Sequence, residues 1–320
     1  MGVRVVVLGQ VGRDLLLTVD GVPEAGGSAE VAERSELLGG KGANQARACR
    51  QLGADVALVG VVGDDPAGAL ALAEARAAGL GTEGVVVREG ARTALLVDVV
   101  GPPGERRLLE HVEPAVLLTP ADVGASAGGL RSADAVLLQL QQPAGAIRAA
   151  LAALPPAAPP SPGPGPLVVA DGATGDAALL RDLLAAGAVL RADAAEAATL
   201  TGRPVHGLAG TVAAATDLVA RGARAVRLAA GPDGDVVAWP GGHTVTPLLG
   251  EDPVDPTGAG DASTAALAVA LATGHDPAEA AWWAAVAARR TVEHAGGRPD
   301  LDARSVAAEA AAARAAHPGT

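Results

Sequence analysis

Residues 135–170 read AVLLQLQQPAGAIRAALAALPPAAPPSPGPGPLVVA. An apolar run, Ala135–Leu140, leads into a stretch of helical composition, Ala144–Leu154, and a second apolar run follows at Leu167–Ala170. Both runs are continuous rather than alternating, the pattern of strands covered on two faces, as in a parallel sheet between layers of helices. Residues 155–166, PPAAPPSPGPGP, form a low-complexity segment. Proline lacks the N–H that helix and central strand need, so this segment predicts an extended surface loop. The strand–helix alternation continues across it, which favours an overgrown loop over a domain linker.

Outward from this unit the alternation repeats. Strand-like runs are Val3–Leu8, Val56–Val62, Ala94–Val100, Ala188–Leu190, Ala225–Ala229 and Asp235–Trp239. Helical stretches fit Asn44–Leu52, Pro66–Ala78, Ala177–Ala186, Ala194–Thr201, Thr211–Arg221, Asp261–Thr273, Pro277–His294 and Ser305–Ala316. The expectation is an α/β fold with one domain over 1–320. Two stretches break the pattern, Leu15–Leu38 and Ala94–Leu118; both read as β-rich excursions that pair with each other as a small lid, from about 15–38 and 94–112.

Composition narrows the function. A formal net charge of −12 without clustered cations argues against nucleic acid as a partner. It leaves room for a small phosphorylated ligand, because glycine-rich turns and helix N-termini hold phosphate with backbone N–H groups. Cys49 is the single cysteine, which excludes a disulfide framework and predicts a buried structural thiol. No apolar stretch approaches the ~20 residues that span a bilayer, and no cleavage-site pattern follows Met1–Leu8; a cytoplasmic protein without a membrane partner is the expectation. The six histidines are scattered, with no i, i+4 pair, which speaks against zinc. His111 lies in the expected lid, Trp282 and Trp283 read as helix packing, and Asp64-Asp65 as a turn.

Lys41 is the only lysine and Asn44 the only asparagine, and both fall in Gly39-Gly40-Lys41-Gly42-Ala43-Asn44. A chain that has shed these residue types elsewhere needs them here, and the run reads as an active-site loop. A second signal is Asp255-Pro256-Thr257-Gly258-Ala259-Gly260-Asp261, which opens a long apolar helix. A Gly-Ala-Gly turn lets backbone N–H groups converge on one concavity, and the helix adds the positive end of its dipole. Such a turn can hold a phosphoryl group in transfer, with Asp261 placed to take a proton from an attacking hydroxyl. A helix cap is the alternative for Asp261. Neither a dinucleotide fingerprint nor a P-loop fits: Gly258-x-Gly260 lacks its third glycine, and Gly42 stands where a P-loop needs Ser or Thr.

Together, GGKGAN near residue 40 and DPTGAGD near residue 255 resemble the two signature regions of the ribokinase-like (PfkB) family of sugar kinases, with GGKGANQA closest to ribokinases. The resemblance extends over nearly the whole chain, through Gly9-x-x-x-x-Asp14, Gly60-x-x-Gly63-Asp64-Asp65 and Gly231-Pro232-Asp233-Gly234. It implies a Rossmann-like, mostly parallel sheet sandwiched by helices, a β lid, ATP beside the Gly-Ala-Gly turn, and Mg²⁺ between the phosphates. It also implies an ATP-dependent kinase acting on the primary hydroxyl of a small sugar, ribose or a related pentose. Asp14 would bind sugar hydroxyls, with a turn residue as its alternative, and Gly40, Lys41, Asn44 and Gln141 would line the sugar pocket. Gly258, Ala259 and Gly260 would form the anion hole and Asp261 would be the base. Asp193, Gly231 and Gly234 would face the nucleotide, and Glu196 would hold Mg²⁺ through water. Asp255 and Thr257 match positions where some members bind K⁺, and Gly296-Gly297-Arg298-Pro299 would sit near the adenine or the ion. Lid-mediated homodimers are common among relatives.

Three positions depart from the family pattern. Gly12 replaces a usual Asn, Gln141 a Glu, and Asp193 the Asn of an Asn-x-x-Glu segment. These departures bear on the sugar more than on phosphoryl transfer. They leave open kinases for fructose-type or adenosine-type substrates, and a sugar-binding regulatory protein with vestigial activity.

Overall fold

The computed structural model describes residues 2–102, 106–155, 165–250, 255, 257–294 and 300–318. Its strands are β1 Arg4–Leu8, β2 Gly12–Val19, β3 Val31–Gly39, β4 Asp55–Gly63, β5 Gly81–Arg88, β6 Ala94–Val100, β7 Arg106–His111, β8 Ala135–Gln139, β9 Leu167–Asp171, β10 Val189–Ala192, β11 Ala225–Ala229, β12 Asp235–Trp239 and β13 Gly242–Thr246. The helices are α1 Lys41–Gln51, α2 Pro66–Ala77, α3 Pro120–Ala125, α4 Ala127–Ser132, α5 Ala144–Ala153, α6 Ala177–Ala185, α7 Ala194–Thr201, α8 Gly207–Ala220, α9 Ala259–Ala272, α10 Pro277–Val292 and α11 Ala303–Ala316.

Nine strands form one sheet in the order β13-β12-β11-β10-β9-β8-β1-β4-β5, parallel except where β12 and β13 return antiparallel at one edge. Alternate residues of a central strand serve opposite cores. Val5 and Val7 of β1 pack with α1, α9 and α10, while Val6 and Leu8 pack under α5 and α6. Both faces are therefore dry, which is why the strands read as unbroken apolar runs. Trp282 and Trp283 are buried in the first of these cores, and Cys49 is buried there too.

The two excursions pair as expected. β2 runs antiparallel to β3 and parallel to β6, and β7 closes a second, four-stranded sheet in the order β3-β2-β6-β7. Its paired strands place Asp14, at the start of β2, beside Leu96 of β6 and Leu37 of β3.

Some boundaries differ from those read in the sequence. α1 begins at Lys41 rather than Asn44, so Lys41 to Asn44 are the first helical turn and not a loop. Gly40 makes this turn possible: its φ of +85° reverses the chain between β3 and α1 in a conformation that L side chains rarely adopt. β5 and β13 were not anticipated, because each is a sheet edge with partial exposure and lacks a continuous apolar signature. Of the proline-rich segment 155–166, residues 156–164 lie outside the described residues, as do residues 295–299 with the Gly296–Pro299 run.

Candidate active site

The glycines around Lys41 allow α1 to sit directly on the exit of β1. A Cβ at Gly42 would lie 2.7 Å from the Gln10 carbonyl oxygen, and one at Gly40 2.8 Å from the same atom. Instead the Ala43 N–H donates to that oxygen at 3.2 Å. A Cβ at Gly39 would collide with the Asp14 carboxylate, and the Gly40 N–H reaches Asp14 Oδ1 at 3.3 Å. The motif thus brings Asp14 and Lys41 to one end of the sheet.

The second motif arrives at the same place. Gly258, with φ +73°, is the N-cap of α9, and among the described residues no side chain caps this helix. Among the described residues the first N–H groups of α9 have no side-chain acceptor, as at any uncapped helix start. Asp261 stands in that first turn and is buried, 8% exposed. Gln45 of α1 joins the two motifs: its Nε2 donates to Asp261 Oδ1 at 3.0 Å and to Asp171 Oδ2 at 2.8 Å. Burial, followed by the charge of Asp171, pushes the Asp261 carboxyl up to about 7, against the opposing pull of Lys41, Gln45 and Arg191. A carboxyl tuned near neutrality beside uncapped N–H groups suits general-base chemistry better than a cap, and it makes no side-chain cap bond here.

Beneath these groups runs a row of polar side chains across four parallel strands. Gln139 of β8 is level with Asp171 of β9, Asp171 with Arg191 of β10, and Arg191 with Arg227 of β11. All four are buried. Arg191 Nη1 donates to Asp171 Oδ1 at 3.0 Å and lies 4.0 Å from Glu196 Oε2. Burial opposes the Arg191 charge, but Asp171, Glu196 and Asp261 outweigh it and hold its pKa above the usual value. Burial lowers the Arg227 pKa; Asp235, which Arg227 Nη2 meets at 2.6 Å, works against that, and Arg191 adds to it.

Comparison with known proteins gives the family. The model of the pfkB family carbohydrate kinases matches residues 3–304. The chain belongs to the pfkB carbohydrate kinase family. This carbohydrate kinase is 33% identical over 306 residues to an "ATP-dependent ribose-1-phosphate kinase" of Halopiger xanaduensis, covering 96% of this chain and 97% of that one. It superposes with a TM-score of 0.75 and 25% identity on an Arabidopsis thaliana ribokinase complexed with ribose and ATP, covering 97% and 99% of the two chains. A Giardia lamblia ribokinase shares the fold with a TM-score of 0.77 at 21% identity, covering 98% and 99%.

In this sugar kinase the remaining residues singled out in the sequence fall as follows. Lys41 Nζ is 4.0 Å from Glu196 Oε1, so the α1 turn and the start of α7 face each other. Asp193 caps α7 in a reciprocal box: its Oδ1 accepts from the Glu196 N–H, while its own N–H donates to Glu196 Oε2. Asp255 is buried, and its Oδ1 accepts from both the N–H and the hydroxyl of Thr257. Gly231 opens a single 3₁₀ turn between β11 and β12, and Gly234 ends it. Asn44 is half-buried in α1, Gln141 is exposed just past β8, and His111 is exposed 4.0 Å from Glu113. Asp65 caps α2, accepting from the Gly68 N–H.

Gln45, Gln139, Asp171, Arg191 and Arg227 were not singled out in the sequence. Their signal was available: each of the last four interrupts or ends an apolar strand with a group that burial penalises, and such a group needs a partner. The runs read as Leu167–Ala170 and Ala188–Leu190 stop one residue before Asp171 and Arg191.

Proposed function

We propose that this sugar kinase transfers the γ-phosphoryl group of ATP to the primary hydroxyl of a ribose-type pentose. The observation that carries the reading is Asp261, a buried carboxyl pushed up to about 7 beside the uncapped start of α9 and within the field of Lys41. Asp261 takes the proton of the attacking hydroxyl, and the N–H groups of the 258–260 turn receive the phosphoryl oxygens. Asp14 and Gly40 bind sugar hydroxyls, with Lys41, Asn44 and Gln141 around them. Lys41 supplies donors and positive charge without competing as a base. Asp193, Gly231 and Gly234 line the nucleotide side, and the small sheet acts as a lid that excludes water from the reaction.

Mg²⁺ bound with ATP neutralises phosphate charge; Glu196 fits a role in holding one of its waters, because it is a part-exposed carboxylate facing Lys41. The buried Asp255 carboxylate beside the Thr257 hydroxyl is a hard-oxygen pair that suits K⁺. A cytoplasmic homodimer joined through the small sheet completes the proposal; Leu95, Leu108 and Leu109 are exposed on that sheet. No helix among the described residues is long and apolar enough to cross a membrane.

A second reading takes ribose 1-phosphate as the acceptor. It is favoured by the full-length relative of that name and by the neutral Gln141 where family members carry Glu, since an amide does not repel a phosphate. The test is ADP release with ribose, ribose 1-phosphate, ribose 5-phosphate, fructose, adenosine and no acceptor. Stimulation by ribose or its 1-phosphate is expected, and none by the 5-phosphate, whose primary hydroxyl is already esterified. A preference for fructose or adenosine would overturn the pentose assignment, and no stimulated turnover would favour a binding protein.

A further inference from the structure

Arg191 carries more donors than the fold uses. Its Nη1 is taken by Asp171, its Nε is buried without a hydrogen-bond partner, and its Nη2 has none among the described residues. A buried guanidinium with donors left over is costly to maintain without an acceptor that arrives later. Its position points to that acceptor. A Cβ added to Gly260 would lie 2.6 Å from Arg191 Nη2, with Nη1 and Cζ the next nearest atoms. Gly260 has no positive φ and sits in a helix, so its backbone would accept alanine; the guanidinium is what requires glycine there. Arg191 therefore packs against the last residue of the 258–260 turn, which receives phosphoryl oxygens in the proposed reaction.

We propose that Arg191 is a catalytic phosphoryl ligand, with Nη2 donating to an oxygen of the group passing from ATP to the sugar. The proposal rests on the kinase reading given above. In the step, the sugar oxygen forms a bond to the γ-phosphorus as the bond to the β,γ-bridging oxygen breaks. The proton of the hydroxyl goes to Asp261, and ADP leaves with the electron pair of the broken bond. Charge grows on the oxygens in transit, and a guanidinium fixed by Asp171 meets it without rearrangement. Arg191 would thus act on the donor side and Lys41 on the acceptor side. Arg227, the next cation on the row, is engaged by Asp235 through Nη2.

The experiment compares wild type, Asp171→Asn, Arg191→Lys and the double variant Arg191→Met/Asp171→Asn, which removes the ion pair together and leaves no charge stranded. The readouts are melting temperature, calorimetric affinity for ADP and for a non-hydrolysable ATP analogue, and kcat. Relative to Asp171→Asn, the double variant should bind ADP within about threefold, bind the ATP analogue at least about tenfold more weakly, and lose about 10²–10³ in kcat. Adding Gly260→Ala should cost wild type heavily and the double variant little, because the clashing group is gone. If the double variant does not fold, Arg191→Lys carries the same readouts. Analogue affinity and kcat equal to those of Asp171→Asn would overturn the role of Arg191 while leaving the kinase intact. A wild type with no acceptor-stimulated turnover would overturn both.

Discussion

Replacing Asp171 with asparagine should make Asp261 a weaker base in a measurable way. Gln45 Nε2 contacts both carboxylates, at 2.8 and 3.0 Å, so the bonded oxygens are no more than about 6 Å apart. Two unit charges at ~6 Å interact by about 3 kcal/mol at an effective dielectric of ~20, equivalent to about 2 pH units. Arg191, relieved of Asp171, would pull in the same direction. The wild-type acid limb of kcat/KM for the sugar should lie at about 7, the value to which burial and Asp171 push Asp261. In Asp171→Asn it should fall by about 1–2 units. Direct chromatographic measurement of ADP between pH 4.5 and 9 avoids coupling enzymes with their own pH limits, and thermal melts at each pH guard against unfolding. A limb at the same pH in both proteins would refute the electrostatic link, and a wild-type limb near 4 would refute the tuned base.

The same carboxyl makes stability fall as pH rises. Its folded pKa lies above its unfolded value, so the folded state holds a proton through the window from about 4 to about 7 and stability is lost as pH climbs through it. Asp261→Asn removes this penalty; in denaturant melts it should be more stable than wild type at pH 8, by up to about 4 kcal/mol, and no more stable at pH 4. Equal stability gain at both pH values would contradict the assignment. Gly42→Ala should destabilise by about 2–3 kcal/mol in the same melts, since its Cβ would meet the Gln10 carbonyl at 2.7 Å and backbone has little room to yield; an unchanged midpoint would show that α1 can lift off β1.

The layered fold was legible because both sheet faces are buried, and the runs at Ala94–Val100, Ala225–Ala229 and Asp235–Trp239 match strands end to end. Edge strands β5 and β13 were not, since half-exposed edges mix polar and apolar residues. Lys41 and Asp261 stood out because glycine-rich turns surround them. The 216-residue separation between Gln45 and Asp261 hides their contact from any local pattern. The Gln139–Asp171–Arg191–Arg227 row is equally hidden, because strand register, and not spacing along the chain, aligns it. Glycine at 260 reads as a phosphate turn in the sequence; only the packed structure shows the guanidinium that also demands it.

The central claim is that Asp261 removes the proton from the sugar hydroxyl at the start of α9. Single-turnover transfer by Asp261→Asn, measured beside its affinity for the ATP analogue, tests it most directly. The account predicts nucleotide affinity within a few-fold of wild type and transfer slowed by about 10²–10⁴. Transfer at the wild-type rate would contradict it.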